Sequence, residues 1–213
     1  MSSGRRGIPF VVAAPSGTGK TTVCRAVVAR DAGIEFSVSH TTRRPREGEV
    51  DGVAYHFVDA NEFRRLVAED AFLEHARYAG HLYGTSWQAL EDPLAGGLDL
   101  LLEIEVQGAR QVRERLGEAR LIFLLPPSLE VLEQRLRARA TDDEEEIQKR
   151  LAVATTEIAQ AELFHFAVVN DDLERAIADV LEVIQLERAG RGDEALSRHG
   201  RAAVLGRWRA AQG

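Results

Sequence analysis

The sequence predicts an α/β fold, a parallel sheet flanked by helices, and three observations lead there. An apolar run, Ile8 to Ala13, passes through a glycine-rich loop directly into a helical pattern. Two later runs, Leu98 to Glu105 and Leu121 to Leu125, are apolar with almost no alternation, as in strands buried on both faces. Each run is followed by helical spacing of apolar residues, and strands alternating with helices make parallel sheets.

The first strand ends in Ala14-Pro15-Ser16-Gly17-Thr18-Gly19-Lys20-Thr21. A loop of this kind turns its backbone N–H groups, with the orphan donors of the next helix, onto an anion that the helix dipole also favours. Lys20 then reaches the β and γ phosphates of a triphosphate, and the Thr21 hydroxyl stands where it holds Mg²⁺. The strict pattern has glycine where Ala14 stands, but Gly17, Gly19 and the Gly-Lys-Thr string are intact. An ordinary turn rich in Gly and Ser is the alternative, and it does not require the strand and helix that flank this one. The helix spans Thr21 to Arg30, with Val23, Ala26, Val27 and Arg30 at helical spacing. Cys24, the only cysteine, falls inside it and is expected to pack there, so an intrachain disulfide or cysteine metal site is excluded.

At 213 residues the chain can bury one sizeable core with a mobile subdomain. A net charge of −7 argues against general nucleic-acid binding, which relies on excess positive charge. No apolar stretch is long enough to span a bilayer, and Met1 to Gly7 lacks the apolar segment of a signal peptide, so neither membrane nor export is expected and the cytoplasm is the default. Nearly all basic residues are arginine, and of the two lysines, Lys20 and Lys149, one lies in the loop.

A short strand, Glu35 to Ser39, leads into the polar segment His40 to Glu49, where Pro45 excludes a helix. Its Arg43, Arg44 and Arg46 either grip a second phosphate with their planar forks or form a solvated loop. Val53 to Val58 alternates as a strand, Ala60 to Glu69 reads as helix, and Phe72 to Ala76 and Gly80 to Thr85 read as strands, together a small β-rich insert. The buried strand Leu98 to Glu105 ends in Glu103 and Glu105, which are carboxylates near Mg²⁺ or simply a charged strand end. Helix Gln107 to Leu116 and strand Leu121 to Leu125 follow, stopped by Pro126-Pro127. Ser128 caps a helix running to about Arg139, with Arg135 and Arg139 one turn apart. Acidic Asp142 to Glu146 breaks the chain before a second helix, on which Glu146 and Arg150 share a face. The two helices are either a salt-bridged hairpin in solvent or a lid that lowers arginines onto a triphosphate. Phe166 to Val169 is the last apolar strand, and Asn170-Asp171-Asp172 caps a helix to about Glu187. Ala195 to Ala211, in a net basic tail, could form an amphipathic helix that packs or extends into solvent, with a nucleic-acid or partner contact as the lesser reading.

From Pro9 to Arg188 the chain resembles the guanylate kinases of bacterial type. The resemblance rests on six strings: the loop at 14–21, Ser-His-Thr-Thr-Arg-Arg-Pro-Arg at 39–46, Gly-Glu-Val-Asp-Gly at 48–52, Tyr-Gly-Thr at 83–85, Glu-Val-Gln-Gly at 105–108 and Val-Asn-Asp-Asp at 169–172. It implies a P-loop NTPase core of nucleoside-monophosphate-kinase type (1–36, 97–126, 165–188), a small mixed β insert that binds GMP (37–96), a helical lid with its following helix (127–164) and a basic tail (189–213). The implied reaction is phosphoryl transfer from ATP to GMP, and to dGMP, with Mg²⁺, in purine nucleotide metabolism, by a monomer or homodimer. The implied ATP site is Ala14, Pro15, Ser16, Gly17, Thr18, Gly19, Lys20, Thr21, Thr22 and, on the adenine side, Asn170, with Thr21 on the metal.

Carried over residue by residue, Arg43, Arg46, Tyr55 and Tyr83 match positions that hold the GMP phosphate, and Ser39, Glu74 and Thr85 those that read guanine. Guanine offers N1–H and N2–H together to one carboxylate, whereas adenine presents a lone pair at N1, so Glu74 rejects AMP. Glu103 and Glu105 stand where the family carries acids, often aspartate, that contact GMP or the water shell of the metal. Lys20, Arg43, Arg135, Arg139 and Arg150 match the groups around the transferring phosphoryl. Ala140 replaces a frequent glycine and would stiffen the lid hinge. Two other functions share much of this pattern: scaffold modules that bind protein ligands on the old GMP surface, which have no need of Gly-Lys-Thr, and P-loop kinases of a ribosyl phosphate, which have no base for Glu74 to pair with.

Overall fold

The computed structural model describes residues 4–78, 80–138 and 143–212. Five strands, numbered in chain order, form the main sheet: β1 (Pro9–Ala13), β2 (Ile34–Phe36), β7 (Asp99–Glu103), β8 (Arg120–Leu125) and β9 (Phe166–Val169). They lie in the order β2-β7-β1-β8-β9 and every neighbouring pair is parallel. Successive side chains of a strand point to opposite faces, and here both faces are covered. Phe10, Val12, Leu101, Ile122, Leu124 and Val168 pack under α1 (Lys20–Arg30) and α7 (Leu173–Arg188). Val11, Ala13, Leu100, Leu102, Leu121, Phe123 and Ala167 pack under α3 (Gln88–Ala95), α4 (Val106–Arg115) and α9 (Arg201–Ala210). That double burial is why these strands read as unbroken apolar runs. Cys24 is buried within α1.

From β1 the chain moves to one side of the sheet through β2 and β7, and then crosses to β8 and β9 on the other side. A crevice forms at the carboxyl end of the central strand where the winding reverses, and the glycine-rich loop after β1 lies there.

A second, mixed sheet holds β3 (His40–Thr41), β4 (His56–Phe57), β5 (Phe72–Tyr78) and β6 (His81–Ser86), in the order β4-β3-β6-β5. Helix α2 (Ala60–Ala68) is capped by Asp59, whose carboxylate accepts from Asn61 N and Glu62 N, and stacks Phe63 on Phe72. The strand expected over 53–58 shrinks to His56–Phe57, because residues 50–55 form a turn: Ala54 N donates to Val50 O at 2.9 Å and Gly52 has φ +76°. Thr41, expected in a polar loop, is instead a buried strand residue.

The helices after β8 are α5 (Leu129–Ala138) and α6 (Glu144–Ala159), followed by a 3-10 turn at Gln160–Leu163. The acidic run expected to break the chain is largely the first turn of α6, with Asp143 as its cap, since carboxylates there complement the helix dipole. The sequence leaves α3 unassigned because it is short and contains Pro93; it buries Leu90 and Leu94 beneath the main sheet. The tail is not one helix but two, α8 (Gly192–His199) and α9, divided at Gly200. Gly200 pairs antiparallel with Phe166, and Arg201 N donates to His165 O at 3.1 Å, so the tail folds along the edge strand β9. No helix among the described residues is long and apolar enough to cross a membrane.

Candidate active site

The loop between β1 and α1 turns on Gly17 and Gly19, at φ +92° and +96°, a region that penalises a β-carbon. A β-carbon on Gly19 would also lie 2.7 Å from Asn170 Nδ2. Asn170, held by its own amide on Leu125 O, donates that Nδ2 to Thr18 O at 2.7 Å. From α5, Arg135 donates to Thr18 O at 3.4 Å and to Asn170 O at 3.0 Å. Gly17, Thr18, Gly19, Thr22, Arg135, Asn170, Asp171 and Leu173 enclose a recess of about 330 Å³ beside the loop. Ala14 and Pro15 are buried at the base of the loop, and Ser16 is half-buried beyond them.

Lys20 reaches across to the carboxyl end of β7, donating to Ile104 O at 2.8 Å and to Glu105 Oε1 at 3.1 Å. Burial lowers the proton affinity of its ammonium, but the Glu105 and Glu103 carboxylates outweigh this and hold it above the usual lysine value. The Thr21 hydroxyl donates to Glu103 Oε1. Thr21 and Glu103 thus present hard oxygen atoms side by side, the donor type that Mg²⁺ takes.

Glu74, on β5, is 3% exposed. It accepts from Thr85 Oγ1 at 2.7 Å, and Thr85 Oγ1 lies 3.0 Å from Ser39 Oγ. Burial pushes its carboxyl up to about 7, with Glu105 adding to the shift and the Thr85 hydrogen bonds opposing it. Gly108 on α4 closes this pocket, for a β-carbon there would lie 2.3 Å from Glu74 Oε2.

Arg43 lies over the Tyr55 ring at 5.4 Å and the Phe57 ring at 5.9 Å, and the Tyr55 and Tyr83 rings are 5.9 Å apart. Its guanidinium donates to Glu49 Oε1 at 2.8 Å, and the same carboxylate accepts from Arg46 N at 2.8 Å. The Arg46 side chain is exposed. Burial, Glu103 and Tyr83 raise the Tyr55 hydroxyl above the usual tyrosine value.

Of the residues expected from the sequence, the structure brings Lys20, Thr21, Glu103 and Glu105 into one polar floor. It brings Ser39, Glu74 and Thr85 into a second cluster, and Arg43, Tyr55 and Tyr83 into a third. Arg150, half-buried on α6, pairs with Glu146, Nε to Oε1 at 3.3 Å. Arg139 and Ala140 lie outside the described residues.

Two carboxylates escape the sequence reading. Glu49 takes up the arginine loop as an internal anion, and its only sequence signal is the 48–52 string. Glu157 of α6 lines a cleft of about 680 Å³ between α4 and α6 with Val106, Gln107, Arg110, Gln111, Val153 and Gln160 among others. Burial and Glu105 raise its carboxyl to about 7, against the pull of Lys20. Nothing local in the sequence marks it, since it depends on α6 facing the start of α4, more than fifty residues away.

Residues 6–187 match the family model described as guanylate kinase. A guanylate kinase of Thermus thermophilus is 55% identical over 195 residues, covering 91% of this chain and 87% of that protein. One of Neisseria gonorrhoeae is 52% identical over 191 residues, covering 90% and 93%. The crystal structure of guanylate kinase from Anaplasma phagocytophilum superposes with a TM-score of 0.71 at 33% identity, covering 87% of this chain and 88% of that one. With the loop of Lys20, the buried Glu74 and the parallel sheet already in place, these likenesses assign the chain to the guanylate kinase family.

Proposed function

We propose that this protein transfers the γ-phosphoryl group of ATP directly to GMP, and to dGMP, in the cytoplasm, giving ADP and GDP or dGDP. The observation that carries the reading is the place of Glu105 between the two halves: it accepts from Lys20 Nζ of the nucleotide loop at 3.1 Å, and its charge also raises the carboxyl of Glu74 in the insert pocket. A donor bound at the loop and a guanine bound at Glu74 therefore lie on either side of one carboxylate.

In this reading the loop from Ala14 to Thr22, with Asn170, holds ATP. The recess beside Asn170 takes the adenine, and Lys20 neutralises the β and γ phosphates. Ser39, Glu74 and Thr85 read guanine, with the ionised Glu74 accepting N1–H and N2–H together. Arg43, Arg46, Tyr55 and Tyr83 take the GMP phosphate, which displaces Glu49 from Arg43. Thr21 and Glu103 would hold Mg²⁺ through oxygen, and the ion supplies charge neutralisation on the phosphates when bound. Glu105 releases Lys20 to the donor and turns toward GMP.

The acceptor phosphate, with a second pKa of about 6, is already ionised at neutral pH, so no strong general base is needed. The protein's work is to align two polyanions in line and to balance charge on the moving group with Lys20 and the arginines. Residues 37–96 act as the GMP-binding insert and 127–164 as the lid, bringing Arg135, Arg139 and Arg150 around the phosphoryl and excluding water that would hydrolyse ATP.

The test is an ADP-release assay with Mg-ATP against GMP, dGMP, AMP, UMP and a ribosyl bisphosphate, beside Lys20→Ala. Turnover confined to GMP and dGMP, and lost in the variant, is the expected result. Turnover of the ribosyl substrate alone would overturn the role of Glu74, and silence with every acceptor would favour a scaffold.

A further inference from the structure

The last helix, α9, lies beyond residues 6–187, the span matched by the family model, yet it is tied to the rest of the molecule at several points. It buries Val204, Leu205 and Trp208 against the main sheet. Its polar contacts, with that of Gln212 just beyond its end, fall at the two ends of the lid segment. At the first end, β8 runs into α5 through Pro126-Pro127. Proline has no N–H, so two in succession leave only carbonyls by which the backbone can be held. Trp208 Nε1 donates to Pro126 O at 2.6 Å, and Gln212 Nε2 donates to Pro127 O at 2.9 Å. At the other end, Arg201 and Arg209 each approach Glu162 of the 3-10 turn after α6 at 3.4 Å. The next residues, His165 and Phe166, are held by Arg201 N and Gly200.

We propose that α9 is the fixed seat on which the lid turns, with Trp208 a positioning residue for phosphoryl transfer. This rests on the reading of 127–164 as a lid. Between the clamped ends, α5 and α6 pack on each other through Leu132, Leu136 and Ala154, and join the main core at Leu129 and Ile158, close to those ends. They can therefore turn as a pair about Pro126 and Glu162, giving up the contacts of Arg135 with Thr18 O and Asn170 O as they move. A seated hinge brings Arg135 back to one position at each closure. An unseated one lets α5 settle in several, and productive alignment is lost even though each substrate still binds its own half of the site.

Trp208→Phe keeps an apolar ring and removes the one donor to Pro126, and Gln212→Ala removes the donor to Pro127 at an exposed position. Steady-state kinetics would be paired with the distance between spin labels at Arg25→Cys on α1 and Lys149→Cys on α6, measured with and without Mg²⁺, a non-hydrolysable ATP analogue and GMP. For Trp208→Phe we expect kcat to fall about fivefold, with KM for both substrates within about twofold of the parent and a smaller closed fraction, in keeping with the loss of one buried hydrogen bond. Gln212→Ala should move the same way by about twofold. Unchanged kcat and full closure in both variants would overturn the proposal. So would a fall in kcat that merely follows the folded fraction in thermal melts. If the parent protein itself shows no shortening with both ligands, the lid reading fails, and the seat fails with it.

Discussion

Glu74 is a buried carboxyl whose hydrogen-bond partners are too few to keep it ionised without a ligand. Its value of about 7 against an ordinary 4.5 means that the folded protein retains a proton the unfolded chain has lost across that interval. Stability contributed by this group is therefore present at low pH and declines as pH rises from about 4.5 through 7, by up to about 3 kcal/mol. Glu74→Gln should flatten that decline in denaturant titrations run from pH 5 to 8. Guanine reverses the balance, because its two N–H donors favour the carboxylate. GMP should then bind more tightly as pH rises through 7 and release about half a proton at pH 7 beyond what its own phosphate contributes, measurable by calorimetry in buffers of different ionisation enthalpy. Glu74→Gln loses that proton release and should raise the KM for GMP by about 10- to 100-fold, the cost of replacing a charge-assisted pair, with the KM for ATP unchanged. A quieter route to the same pocket is Gly108→Ala. Its β-carbon would lie 2.3 Å from Glu74 Oε2, so the carboxylate must shift and GMP affinity should fall while ATP affinity holds.

Helix α5 shows why some elements are easier to read than others. Its cap at Ser128 and its apolar positions Leu132 and Leu136 are set by local spacing and are legible in the sequence. What it rests on is not: a β-carbon on Gly17 would lie 2.9 Å from Leu136 and 3.1 Å from Leu132, so the absence of that carbon is what lets the helix sit on the nucleotide loop. Leu136→Ala should cost about 2–4 kcal/mol locally. It should speed amide hydrogen exchange in α5 and weaken ATP more than GMP, as the grip of Arg135 on Thr18 O loosens. The same division runs through the whole chain. β1, β7, β8 and β9 declare themselves because burial on both faces leaves continuous apolar runs, and the loop at 14–21 because its chemistry lies within eight residues. β3 and β4, two residues each, exist through pairing with distant segments, and their alternation alone overstates β4. The break at Gly200 arises because the tail must meet β9, a demand that amphipathic spacing from 195 to 211 does not register. Glu49 is marked in the sequence by the 48–52 string alone, and Glu157 comes near Glu105 through tertiary approach, so no motif singles it out.

Across the molecule, the framework that carries the site is locked at the opposite end of the sheet, around Asp99. This carboxylate, fully buried at the start of β7, accepts from Ile8 N at 2.8 Å, from Arg5 at 2.8 Å and from Arg188 at 2.7 Å. Arg188, at the end of α7, also binds Asp31 at 2.8 Å, just beyond α1. One buried charge thus joins the strand leading to the nucleotide loop, the strand leading to Glu103 and Glu105, and the two helices on one face. Removing it leaves the Arg188 guanidinium half-buried with a single carboxylate partner, and its Nη2 already has no hydrogen bond. Breaking a buried pair from one side costs about 3–5 kcal/mol. For a chain of this size that is a fall in Tm of roughly 6–20 °C. Asp99→Ala should show that fall by calorimetry while keeping kcat and both KM values near the parent at 20 °C, because Asp99 touches nothing in the site. Lys20→Ala should do the reverse, abolishing turnover with a smaller fall in Tm, since water can reach the part-exposed Glu105 carboxylate that loses its partner. A parent-like Tm in Asp99→Ala would mean that Arg188 finds another acceptor and that the sheet is held by its apolar faces alone.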